Sequence, residues 1–111
     1  MKINTLDNLN GRRDVFEFMQ GDFENEHWHD SYIYLTTEDF DFLYLFIEEV
    51  LADFNYFGPN SVNQEQWNQI AINACSLNNT ADTQFLRFFK RIDHWVKENF
   101  KKHTCFSICG P

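Results

Sequence analysis

The sequence predicts a mainly α domain of three to four helices carrying a small two-stranded sheet from residues 31–35 and 104–109, with α+β as the alternative class. Three observations lead there. Residues 85–100 place Phe85, Phe88, Phe89, Ile92, Trp95, Val96 and Phe100 in one stripe at helical spacing, opposite Arg87, Lys90, Arg91, His94 and Lys97. The stretch "DFDFLYLFIEEVLADF" repeats apolar side chains every three or four residues. Two short segments, "SYIYL" and "TCFSIC", alternate like strands instead. At 111 residues, with 43% hydrophobic and 18% aromatic side chains, the chain can bury one core, so residues 1–111 are expected to form a single domain.

Between Arg12 and Gln20, Val15, Phe16 and Met19 recur at helical spacing and Gly21 stands where a C-terminal cap would sit, which predicts a first helix. An alternating strand through Phe16 and Phe18 competes with it. "SYIYL" (residues 31–35) is β-branched and aromatic, hence a strand. Thr36 or Thr37 then caps a helix whose first turn carries Glu38, Asp39 and Asp41, favourable at the positive end of the dipole; it is expected to run to about Phe54. Gly58-Pro59 breaks the chain. A further helix opens near Asn63 with Glu65 in its first turn and buries Trp67, Ile70, Ala71 and Ala74. "SLNNTAD" (residues 76–82) is a polar loop, and the last helix starts near Ala81 or Asp82 and ends around Phe100.

The helix of residues 39–54 is unusual in having two apolar sides. Phe40, Leu43, Tyr44, Ile47, Val50, Leu51 and Phe54 share one face, which an ordinary core-facing helix needs. Phe42, Leu45 and Phe46 lie on the far side among Glu38, Asp39, Glu49 and Asp53. Two explanations compete. The second patch is buried by another element, the N-terminal helix being the candidate; or Phe42, Phe46, Glu49 and Asp53 form a ridge that docks a basic protein, its aromatics supplying buried area and its carboxylates meeting Lys or Arg. The partner-binding set under the second reading is Asp39, Phe42, Phe46, Glu49 and Asp53, joined at the helix exit by Tyr56 and Phe57, which could equally staple the turn to the core.

The formal net charge of −8 argues against sequence-independent binding to nucleic acid or an anionic membrane, both of which would repel the chain. No run approaches the roughly 20 apolar residues of a spanning helix and the N-terminus has no signal-peptide pattern, so a cytoplasmic location is expected. The 3 cysteines, Cys75, Cys105 and Cys109, are an odd number and suit a reducing compartment. Basic residues crowd the last helix (Arg87, Lys90, Arg91, Lys97, Lys101, Lys102), read as a solvated face in preference to a nucleic-acid patch. Two clusters invite a metal: His27 with His29, and His103 with Cys105 and Cys109. Neither has the spacing of a known metal motif, and no G-x-S-x-G, phosphate loop or dinucleotide fingerprint occurs. No cofactor, metal or catalytic residue is therefore expected. A metal- or thiol-dependent enzyme and a regulator docking nucleic acid through the basic helix are the alternatives.

Together, "TTEDFDFLYLFIEEVLADFNYFG", "SVNQEQWNQI" and "HWVKENFKKHTCFSICG" resemble the immunity proteins of bacterial contact-dependent growth inhibition and related polymorphic toxin systems. The likeness spans roughly residues 31 to 110 and rests on structural punctuation and aromatics. It implies a non-enzymatic cytoplasmic protein that binds the C-terminal toxin domain of its cognate effector, often a basic nuclease, and occludes it. It assigns no binding residue, because such interfaces differ from toxin to toxin.

Overall fold

A computed structural model describes residues 1–77 and 83–111. After a short 3₁₀ turn at Leu6–Leu9, the chain runs β1 (Val15–Gln20), β2 (Ile33–Thr36), α1 (Thr37–Val50), β3 (Pro59–Asn63), α2 (Gln64–Leu77), α3 (Thr83–Phe100) and β4 (Cys105–Cys109). The four strands make one antiparallel sheet in the order β2-β1-β4-β3. The class is α+β, which corrects the expected mainly α domain with a two-stranded sheet: residues 31–35 and 104–109 do supply strands, but they are not neighbours, because β1 lies between them. The predicted loop of residues 76–82 and the start of the last helix fall largely outside the described residues.

The element predicted as a first helix is β1, the strand that joins the sheet's two halves. Phe16 and Phe18 enter the helix-side core, while Val15, Glu17 and Met19 face the other way, and all five are buried. A strand covered on both faces loses its polar alternation, so its apolar residues fall by coincidence at helical spacing. β3 was not foreseen either. Its sequence "PNSVN" offers one inward apolar residue, Val62, and the side chain of Asn60 does the remaining work: Nδ2 donates to the carbonyls of Asn55 (2.8 Å), Gly58 (3.1 Å) and Ile108 (3.1 Å), tying the preceding turn to the sheet.

The helices cover one face of the sheet. Phe40 of α1 stacks on Phe16 (3.7 Å between ring centroids), Trp67 of α2 stacks on Phe89 of α3 (5.4 Å), and Phe106 of β4 receives the edges of both Trp67 and Trp95. Buried Trp67 satisfies its indole N–H on Asp93 Oδ1 at 2.8 Å. Helix α2 opens on a reciprocal cap, in which Asn63 N–H donates to Gln66 Oε1 (2.9 Å) and Gln66 N–H to Asn63 Oδ1 (2.8 Å). None of the described helices is long and apolar enough to cross a membrane.

The opposite face carries Val15, Glu17, Met19, Tyr34, Cys105, Ser107 and Cys109, and it too is buried. The Leu6–Leu9 turn and the long β1–β2 connection cross it, with Trp28 stacked on Tyr34 at 5.8 Å. The outer edge of β2 is closed by the chain's own Asn4, which exchanges two 2.9 Å backbone hydrogen bonds with Tyr34. Carried two residues past Met19 and Ser107, the β1–β4 register sets Gly21 opposite Cys105. There the backbone leaves the strand at a left-handed φ of 67°, and the side chain of Asn99 fills the gap: Gly21 N–H donates to Oδ1 (3.1 Å) and Nδ2 donates to the Cys105 carbonyl (2.9 Å). One carboxamide substitutes for a missing rung of the ladder.

Candidate docking surface

Helix α1 forms because its sequence caps itself: Thr36 Oγ1 accepts the Asp39 N–H at 3.2 Å, and Glu38 and Asp39 occupy the first turn. It stops at Val50, short of the expected Phe54. Leu51 N–H closes on the Ile47 carbonyl, Phe54 N–H closes back on Leu51, and Phe54 returns its ring to Phe40 at 5.9 Å. The inward stripe is as predicted, with Phe40, Leu43 and Ile47 fully buried and Tyr44, Val50 and Leu51 packed around them.

The structure divides the second apolar patch. Phe46 is only 7% exposed, and its ring meets Phe85 in the first turn of α3 at 5.8 Å. It is a core residue, and the element covering it is α3, not an N-terminal helix. Phe42 and Leu45 stay in water at 51% and 56% exposure. Around them α1 presents Glu38, Asp41, Glu48 and Glu49, all exposed, with Asp53 just beyond its end. No lysine or arginine occurs between Arg13 and Arg87, so this face has no cation of its own chain segment within it. Arg12 reaches toward Glu38 (3.9 Å) but is bound more closely to Asp14, at 2.6 Å.

The remaining predicted positions separate by what holds them. Asp39 is half-buried and accepts the Lys2 N–H at 2.9 Å, so it pins the N-terminal segment to α1. Glu49 is exposed and takes a long 3.4 Å hydrogen bond from Asn73 of α2. Tyr56 is half-buried, edge-on to Phe16 (4.8 Å) and stacked on Tyr44 (5.7 Å); it staples the turn. Phe57, beside it, is 74% exposed on a turn fixed by Asn55, whose Oδ1 accepts the Phe57 N–H at 3.1 Å. Burial first, then the charges of Asp41, Tyr44 and Glu38, raise the Tyr56 phenol above its ordinary pKa. Of the predicted set, Phe42, Glu49, Asp53 and Phe57 face outward, with Leu45, Glu38, Asp41 and Glu48 added; Asp39, Phe46 and Tyr56 are structural. Exposed Ile72 on α2 was not foreseen.

The two histidine clusters come apart. His27 Nδ1 lies 2.5 Å from Glu17 Oε1, while His29 turns to Ser31 and Asp30. His103 lies over Gly21, Cys105 donates to Asp22 and Cys109 is buried opposite Glu17. Among the described residues no three His, Cys, Asp or Glu side chains gather in a metal-binding arrangement. On α3 Lys97 pairs with Asp93 (2.9 Å), and just past its end Lys101 pairs with Glu98 (2.5 Å). Sequence reasoning missed Glu17 and Asn99; for Glu17 the available signal was a single polar residue inside an otherwise apolar run, whereas Asn99 stands among Lys97, Glu98, Lys101 and Lys102 and offers no such signal. The chain matches no protein-family model, no curated protein and no solved structure in these comparisons.

Proposed function

We propose that this chain is a non-catalytic protein-binding domain that docks the outer face of α1 on a basic partner, and that it acts in the cytoplasm as the immunity protein of a polymorphic toxin system, occluding a cationic toxin domain. The observation that carries the reading is Phe42 and Leu45 standing half in water inside a field of carboxylates on a helix that carries no lysine or arginine. Removing the exposed half of each side chain from water is worth about 1 kcal/mol apiece, and complementary charge speeds encounter. The immunity assignment further rests on the resemblance over residues 31 to 110.

The test is neutralisation. Co-expression with the toxin domain encoded beside its gene is expected to restore bacterial growth, with a purified complex of the two chains. The Phe42→Ala/Leu45→Ala double variant is expected to weaken the complex by about ten- to a hundredfold, mainly through faster release. Failure to protect against any neighbouring toxin domain would reject the immunity assignment; unaltered affinity of the double variant would reject α1 as the docking surface.

A further inference from the structure

The β1–β2 connection carries strain that the docking surface does not use. Trp28 and Asn25 both hold left-handed backbone, with φ of 62° and 63°. For a bulky residue such as tryptophan that conformation is unfavourable and persists only where surrounding contacts impose it. Here the contact is Glu17. Its side chain is buried, at 3% exposure, under the connection, and both carboxylate oxygens are engaged by it: Oε2 accepts the Trp28 N–H at 3.0 Å and Oε1 faces His27 Nδ1 at 2.5 Å. The Trp28 ring lies on Tyr34 and carries the Arg13 guanidinium above it at 5.0 Å, and Tyr34 donates its hydroxyl to the His29 carbonyl at 3.0 Å.

The two ends are held independently of that latch. Gly21 is fixed by Asn99, and the Ser31 carbonyl accepts from Gln20 Nε2 (2.7 Å) and from Trp95 Nε1 (3.0 Å). Between them Asp22, Glu24, Glu26 and Asp30 are exposed carboxylates that repel one another within a few residues. Two thiols are buried near this segment: Cys105 touches it, its Sγ donating to Asp22 Oδ1 at 3.1 Å, and Cys109 is the register partner of Glu17, the residue that holds Trp28 down. We propose that residues 22–30 form a latched lid, with Glu17 as the latch, whose local opening admits soluble reagents to Cys105 and Cys109 while the rest of the fold stays closed. Closed, the lid also keeps them inert: burial, reinforced by Asp22 at Cys105 and by Glu17 at Cys109, raises both thiol pKa values.

Cys75, exposed on α2, supplies an internal control. The full chain is treated with iodoacetamide under native conditions, labelling at each cysteine is followed by mass spectrometry, and amide exchange is measured in parallel across α3. In the wild type Cys75 is expected to react first, and Cys105 and Cys109 more slowly but well ahead of amide exchange at buried Ile92 and Val96. His27→Ala, a change at an exposed side chain, is expected to speed labelling of Cys105 and Cys109 about tenfold, the equivalent of one charge-assisted hydrogen bond, with Cys75 and α3 unchanged. Glu17→Gln is expected to act in the same direction. Labelling of Cys105 and Cys109 only at the rate of α3 exchange, or acceleration matched by equal acceleration in α3, would overturn the lid.

Discussion

Asn99→Ala tests whether the carboxamide between Gly21 and Cys105 is a structural rung. Asn99 is buried at 4% exposure, and its two hydrogen bonds engage backbone groups belonging to different strands. Truncation leaves the Gly21 N–H and the Cys105 carbonyl without their partner. Each buried unpaired backbone group costs roughly 1–3 kcal/mol, so the loss of both is about 2–6 kcal/mol if no water enters. Against a total of roughly 5–15 kcal/mol for a domain of this kind, that is a severe change. In a thermal melt it corresponds to a fall in Tm on the order of 10–20 °C. Asn99→Asp sharpens the test. Its ionised carboxylate can still accept from Gly21 but faces the Cys105 carbonyl oxygen with no proton to give, so at neutral pH it is expected to be no better than alanine. Acidification, by returning a proton to that carboxyl, is expected to narrow its gap to the wild type. A Tm fall of only a degree or two in Asn99→Ala would refute the reasoning, because the cavity would then be satisfied by solvent.

Three further outcomes follow from the same contacts. Burial first, then the charge of Glu17, pushes the Tyr34 phenol well above its ordinary value; its contribution to stability is therefore complete below about pH 10 and is lost as pH rises beyond it, where the unfolded phenol ionises but the folded one does not. Alkaline titration is expected to show a phenolate signal for Tyr34 only on unfolding, and its ionisation within the native state near pH 10 would contradict the structure. Trp67→Phe removes the indole N–H from Asp93 while keeping the stack on Phe89, and is expected to cost about 1–2 kcal/mol in denaturant melts, Lys97 remaining to partner the carboxylate. Gly110→Ala drives a methyl group into the Tyr56 carbonyl, which is backbone and cannot swing aside. It is expected to cost roughly 1–3 kcal/mol and to shift the amide signals of Tyr56 and Phe57 while leaving those of α2 in place.

What could be read from the sequence followed the strength of its periodicity. The α3 stripe is narrow and opposed by Arg87, Lys90, Arg91 and Lys97, and α1 announces both its cap and its inward face, so both were legible. β1 was not, because "VFEFMQ" is buried on two sides and the strand period disappears when polar residues are not required. β3 failed for the opposite reason: an edge strand with one inward apolar residue has almost no pattern to read. At the candidate surface, helical spacing groups Phe42, Leu45 and Phe46 because they are neighbours on α1. What separates them is Phe85, thirty-nine residues beyond Phe46, and no local pattern foretells that contact. Glu17 and Asn99 were invisible as partners because Glu17 meets an irregular connection with no repeating pattern and Asn99 reaches Gly21 from the far end of the chain.

The two sides of the molecule are built differently. Under α1 the support is dense: the Phe40–Phe16 stack, the Thr36 cap and the tie from Lys2 to Asp39 hold the helix, so Phe42 and Leu45 project from a scaffold with little freedom to lose. A face fixed before contact loses less entropy on binding, and its exposed apolar area converts more fully into affinity. The reverse side is covered by a connection that needs left-handed backbone at Trp28 and a buried carboxylate to stay down. Rigidity thus sits where a partner would need shape, and strain sits where movement would uncover chemistry. For that reason a variant in the Glu17 latch is expected to leave partner affinity at α1 intact, and a variant at Phe42 and Leu45 is expected to leave Cys105 and Cys109 as protected as before. Coupling between the two readouts, in either direction, would mean the sheet transmits what its packing suggests it insulates.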